Sequence, residues 1–144
     1  MYKMAKLLAF ILILVFTAIF LFRRPKTINL KINNQTYRLE VASSILQKAK
    51  GLSGRNSLCS DCGMIFPFSD ENIHPFWMKD TLIPLDIIWV DSQGRVVTVL
   101  TGQPNDLSVL QNTSPAKYVI ELNAGDTQKL NLKVDDTIYI PRTL

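Results

Sequence analysis

"FWMKDTLIPLDIIWVD", residues 76–91, decides how the chain is organised. In an extended strand residues i and i+2 share a face. From Leu85 onward, Leu85, Ile87 and Trp89 make one face, and Asp86, Ile88 and Val90 make the other. Both faces are apolar, the mark of a strand covered on both sides. Asp86 is the exception, because a carboxylate among branched aliphatics is costly to bury unless it is paired or hydrogen-bonded. Its candidate partners are Lys79, Arg55 and the backbone N–H groups of the turn at 81–85. Two roles compete: Asp86 pins that turn, or it is a carboxylate with a shifted pKa in a cleft. Trp77 and Lys79 share a face by the same spacing, which sets an apolar platform beside a cation at the open end of the strand.

Working outward, Ser92-Gln93-Gly94 turns the chain into "RVVTVLT" and completes a hairpin. "TINLKIN" and "TYRLEVA" alternate apolar with polar residues on either side of Asn33-Asn34-Gln35 and predict a second hairpin with one buried face. Ser43 or Ser44 caps a short helix, "ILQKAK", that Gly51 ends. "GMIFPF" predicts a strand interrupted by Pro67, and 76–79 another that Pro84 separates from "LDIIWVD". Residues 102–116 predict a long polar loop, "KYVIELN" a strand, 124–132 a helical turn and "TIYIP" a last strand. About seven short strands with one or two short helices predict a mainly β (α+β) domain, barrel-like or sandwich-like.

The 144 residues allow one domain, and part of that length is spent elsewhere. Residues 7–22, "LLAFILILVFTAIFLF", are uncharged, with Lys3 and Lys6 before them and Arg23, Arg24 and Lys26 after. As a helix the run extends about 24 Å, slightly short of a hydrocarbon core, and flanking cations make up such a difference by snorkelling. Phe-Leu-Phe-Arg-Arg offers no small-residue cleavage site, so an uncleaved single-pass transmembrane anchor over 1–24 is expected, followed by one domain over 25–144. Basic residues are nearly balanced across the run and do not orient it. The net charge of +4 includes Lys3, Lys6, Arg23 and Arg24; beyond residue 24, 12 basic residues face 12 acidic ones. That domain lacks the basic footprint of a nucleic-acid binder.

"GLSGR" (51–55), "GMIFPF" (63–68), "FWMKDTLIPLDIIWVD" and "YVIELNAG" (118–125) occur in this order. Together they resemble the bacterial and archaeal domain of unknown function 192, also called uncharacterised protein family 0127, over about residues 28–140. The resemblance implies a compact, mainly β domain, often behind a signal or anchor, with no established biochemical activity. It marks Arg55, Gly63, Met64, Phe66, Trp77, Met78, Lys79, Thr81, Pro84, Asp86, Glu121, Asn123 and Gly125 as signature positions. Ser53 stands where that family commonly has methionine, and Val134-Asp135-Asp136 where a Gly-Asp turn is usual. The two cysteines are outside the pattern.

Cys59 and Cys62 have C-x-x-C spacing, but Gly63 and a β segment follow where a thioredoxin-like motif opens a helix. Zinc ordinarily takes four ligands, and His74 is the single histidine, so no metal or other cofactor is expected. A local disulfide is the favoured reading and two free thiols the alternative. A tight cysteine pair beside an anchor suits an oxidising compartment, which places the domain on the extracytoplasmic side.

Two functions remain. The first is a membrane-tethered binding or accessory domain, its ligand or protein partner unknown, with a candidate site at Arg55, Trp77, Lys79, Thr81, Asp86 and Glu121. The second is a hydrolase acting on an envelope glycan through Asp86 and Glu121, since acid/base hydrolysis needs two carboxylates at a set separation. No nucleophile–base constellation or phosphate loop is present in the sequence, and the binding reading is preferred.

Overall fold

The computed structural model describes Lys6, residues 25–142 and Leu144. The anchor expected at 7–22 lies outside the described residues, among which no helix is long and apolar enough to cross a membrane.

Six strands and two short helices make up the domain. In chain order they are β1 (Thr27–Ile32), β2 (Gln35–Val41), α1 (Ile45–Lys50), β3 (Cys62–Asn72), β4 (Leu85–Val90), β5 (Val96–Gly102), β6 (Ala116–Asn123) and α2 (Asp126–Lys129). The strands form one sheet in the order β1-β2-β3-β6-β4-β5. Every neighbouring pair is antiparallel except β2 with β3, which run parallel across the connection through α1. The barrel-like or sandwich-like arrangement expected is corrected here: there is one sheet and it is open, with β1 and β5 at its two edges. The strand expected at 76–79 is a single bridge, Phe76 to Leu110, and "TIYIP" contributes one bridge, Thr137 to Arg95. These departures account for the strand count of six.

Local sequence explains the elements. Asn33, at φ 51°, opens the two-residue turn between β1 and β2, a conformation asparagine tolerates better than most residues. Ser44 caps α1 in a reciprocal box with Gln47, and Gly51 at φ 51° ends it. All six residues of β4 are buried. Ile88 and Val90 join Leu39, Ile65, Ile120 and Leu122 in one apolar layer. Leu85, Ile87 and Trp89 join Phe66, Met78 and Val119 in the other. The sheet therefore lies between two cores, and β4 is wetted on neither face, while β6 is buried from Val119 to Leu122.

Candidate ligand-binding site

Strand register builds the site. Glu40 of β2, Met64 of β3, Glu121 of β6 and Ile87 of β4 are successive partners across the sheet. Directly opposed residues share a face, so Glu121 stands on the Trp89 and Phe66 side. Its residue is 5% exposed, and its Oε2 is buried with no hydrogen-bond partner. Burial pushes the carboxyl up from 4.5 to about 8, against the opposing pull of the Arg55 charge.

Glu121 lines a cavity of about 210 Å³. Phe66, Phe68, Phe76 and Trp77 supply its aromatic lining, and Ser53 and Thr81 add hydroxyl groups. The walls brace each other. Phe66 and Phe76 meet edge to face with ring centroids 5.0 Å apart, and Phe76 meets Trp89 in the same way at 5.9 Å. Phe68 stacks on His74 at 3.6 Å, while Trp89 Nε1 donates to the His74 carbonyl at 2.9 Å. On the α1 side, Lys48 and Lys50 line the cavity, and Lys48 Nζ lies 4.3 Å from the Phe68 centroid. Gly51 brings this segment close, since a Cβ there would stand 3.7 Å from Glu121 Oε2.

The other expected site residues divide around this cavity. Trp77 and Thr81 line it with Glu121. Arg55 does not; it is clamped to Glu40 by two 2.7 Å hydrogen bonds and borders a neighbouring groove that shares Lys50 and Gly51 with the cavity. Lys79 is exposed, its Nζ 5.5 Å from the ring centroid of Trp77, which is itself 55% exposed.

Asp86 faces the opposite core, because alternation along β4 turns it away from Ile87 and hence from Glu121. The carboxylate pair expected for glycan hydrolysis is therefore not assembled. Nor does Asp86 pin the turn at 81–85. Its Oδ1 accepts from Thr101 Oγ1 at 2.7 Å, and its Oδ2 accepts from the backbone N–H groups of Gly125 and Thr127 and from Thr127 Oγ1. It thus caps α2 from another strand, where Gly125 offers no side chain to do so.

Cys59 and Cys62 are joined by a disulfide. With Asp61 they cluster as metal-ligand atoms, but two sulfurs bonded to each other leave one carboxylate, fewer ligands than a zinc site takes.

Sequence reasoning missed Ser53, Lys48, Phe66 and Phe68 as cavity residues. The signal for the two phenylalanines was present in their i, i+2 spacing on β3, which gives them one face.

Residues 28–140 match the family model DUF192, described as uncharacterised ACR. The chain belongs to the DUF192 family. No curated protein matches this DUF192 chain. Among solved structures it is similar to a protein of unknown function from Novosphingobium aromaticivorans, at 30% identity over 81% of this chain and 85% of that one, with a TM-score of 0.72. It is also similar to a protein from Sinorhizobium meliloti described as a candidate transcription regulator, at 28% identity over 81% and 93%, with a TM-score of 0.73.

Several DUF192 signature positions now have physical reasons. A Cβ at Gly63 would collide with the Glu121 carbonyl and the Leu39 and Leu122 side chains. Gly125 takes φ 87° and turns its N–H to Asp86. Asn123 Nδ2 donates to the Cys59 carbonyl at 3.0 Å. Ser53, where the resemblance implies methionine, donates its hydroxyl to the Lys79 carbonyl at 3.2 Å beside the cavity.

Proposed function

We propose that this DUF192 chain is a membrane-tethered domain that binds a small ligand in the Glu121 cavity, on the extracytoplasmic side. One observation carries the binding reading. A carboxyl oxygen that is buried, unpartnered and set in the lining of an aromatic-walled cavity is unsatisfied without a ligand or solvent. The tether rests on the uncharged run at 7–22 and on the charge balance of the remainder. The outward orientation rests on the Cys59–Cys62 disulfide. The description of the Sinorhizobium protein is not carried over, because the domain beyond residue 24 has no net positive charge to meet a phosphate backbone.

Trp77, half-exposed at the cavity, reports occupancy. Full-length protein in detergent, titrated with a panel of small polar metabolites, should show saturable changes in Trp77 fluorescence that a Trp77→Phe variant lacks. A panel with no saturable change overturns the binding reading. Recovery of the full-length chain in the soluble fraction without detergent overturns the tether. Labelling of Lys79 by a membrane-impermeant amine reagent in intact cells supports the outward orientation, and labelling only after lysis reverses it.

A further inference from the structure

The charged residues that line the cavity are Glu121 at the sheet and Lys48 and Lys50 on α1. The lining thus carries charge of both signs together with aromatic rings. We propose that the cavity takes a small zwitterion, its ammonium group against Glu121 Oε2 and its anionic group against Lys48 and Lys50. This deepens the binding reading above and rests on it.

Three observations support that polarity. The Glu121 carboxyl, ionised, offers only acceptor sites, and an ammonium group supplies only donors. The aromatic wall already receives ammonium groups from the protein itself: Lys48 Nζ over Phe68 at 4.3 Å and Lys79 Nζ near Trp77 at 5.5 Å. A simple amine would be repelled by the two lysines and a simple acid would bring Glu121 no cationic partner, whereas a zwitterion satisfies both ends. The cavity of about 210 Å³ has room for a ligand the size of a short amino acid.

Binding is coupled to a proton. Buried in the cavity, Glu121 holds its proton to about pH 8. The charged groups around it are Arg55, itself clamped to Glu40, and Lys48 and Lys50 of α1. The flanking strands place uncharged Met64 and Ile87 beside it. Near neutral pH an incoming ammonium group makes the ionised form the better partner, so the Glu121 proton leaves to the buffer as the ion pair forms.

The test uses full-length protein in detergent and four probes of one chain length: 5-aminopentanoate, n-pentylammonium, pentanoate and 1-pentanol. Calorimetry near neutral pH in two buffers of different ionisation enthalpy gives affinity and protons released. We expect 5-aminopentanoate to bind at least about tenfold more tightly than any other probe. Its binding should release close to one proton, by linkage. Glu121→Gln should abolish both the preference and the proton release while keeping the wild-type circular dichroism spectrum. Lys48→Ala with Lys50→Ala should bring 5-aminopentanoate down to the affinity of n-pentylammonium. Equal or tighter binding of pentanol or pentanoate overturns the zwitterion while leaving a binding cavity. Binding of 5-aminopentanoate without proton release, or its survival in Glu121→Gln, overturns the role of Glu121. Failure of all four probes overturns the zwitterion, and the binding reading falls with it if the metabolite panel fails too.

Discussion

Replacing Glu121 by glutamine removes the charge that the cavity floor resists while keeping size and an acceptor oxygen. In the unfolded chain this glutamate releases its proton near 4.5, whereas in the folded domain it holds it to about 8. Between those values the unfolded state binds fewer protons than the native state, so native stability falls as pH rises. The group's contribution is complete below about 4.5, declines through the interval and levels off above about 8. At about 1.36 kcal/mol per pH unit, the interval corresponds to a loss on the order of 5 kcal/mol. That figure is a ceiling, because an ionised Glu121 can turn toward Arg55 and admit water. The Glu121→Gln chain carries no such slope. Urea unfolding of both proteins in the same detergent, followed by fluorescence of the buried Trp89, should give similar midpoints at pH 4.5. Toward pH 8 the glutamine variant should become the more stable by a growing margin. Parallel pH profiles for the two proteins would refute the reasoning.

Asp86→Asn should cost about 1–3 kcal/mol through loss of charge-assisted bonds to Thr101, Gly125 and Thr127, with Lys79→Ala within about 0.5 kcal/mol of wild type; chemical denaturation compares them, and the reverse ranking would undo both roles. Gly63→Ala should destabilise by about 1–3 kcal/mol, because the added methyl meets backbone as well as side chain; a neutral result in the same assay would mean that β3 and β6 separate more easily than their register implies. The double variant Cys59→Ser, Cys62→Ser should still fold, since closing so short a loop confers less than the roughly 3 kcal/mol that chain entropy assigns to a 15-residue one; loss of the native circular dichroism spectrum would count against this.

Legibility followed the range of the interactions. The first hairpin, the capped helix and the two-sided strand β4 are set by neighbours within a few residues, and their sequence patterns announce them. Asp86 shows the limit. Its need for donors was legible from Ile88 and Val90 beside it, but the donors lie 39 and 41 residues away at Gly125 and Thr127. No local pattern points that far. The segment 76–79 has strand-like composition, yet it spends its backbone on loop partners, Met78 N donating to the Asp106 carbonyl and Phe76 pairing with Leu110. Trp77, Thr81 and Glu121 stand out as candidates in the sequence, but their convergence needs β6 to lie between β3 and β4, a placement no spacing encodes.

That placement of β6 has a kinetic consequence. Strands β1, β2 and β3 form one half of the sheet and the β4–β5 hairpin the other, and β6 is the strand that joins them. It is also the last strand to be synthesised. Until residues 116–123 have left the ribosome, β3 and β4 each present an unpaired edge, the kind of template on which chains aggregate. The pairings that β6 then makes span much of the sequence, and such non-local closure is slow. The two halves of the sheet can therefore join only once β6 is available, and that joining carries Glu121 into the sheet.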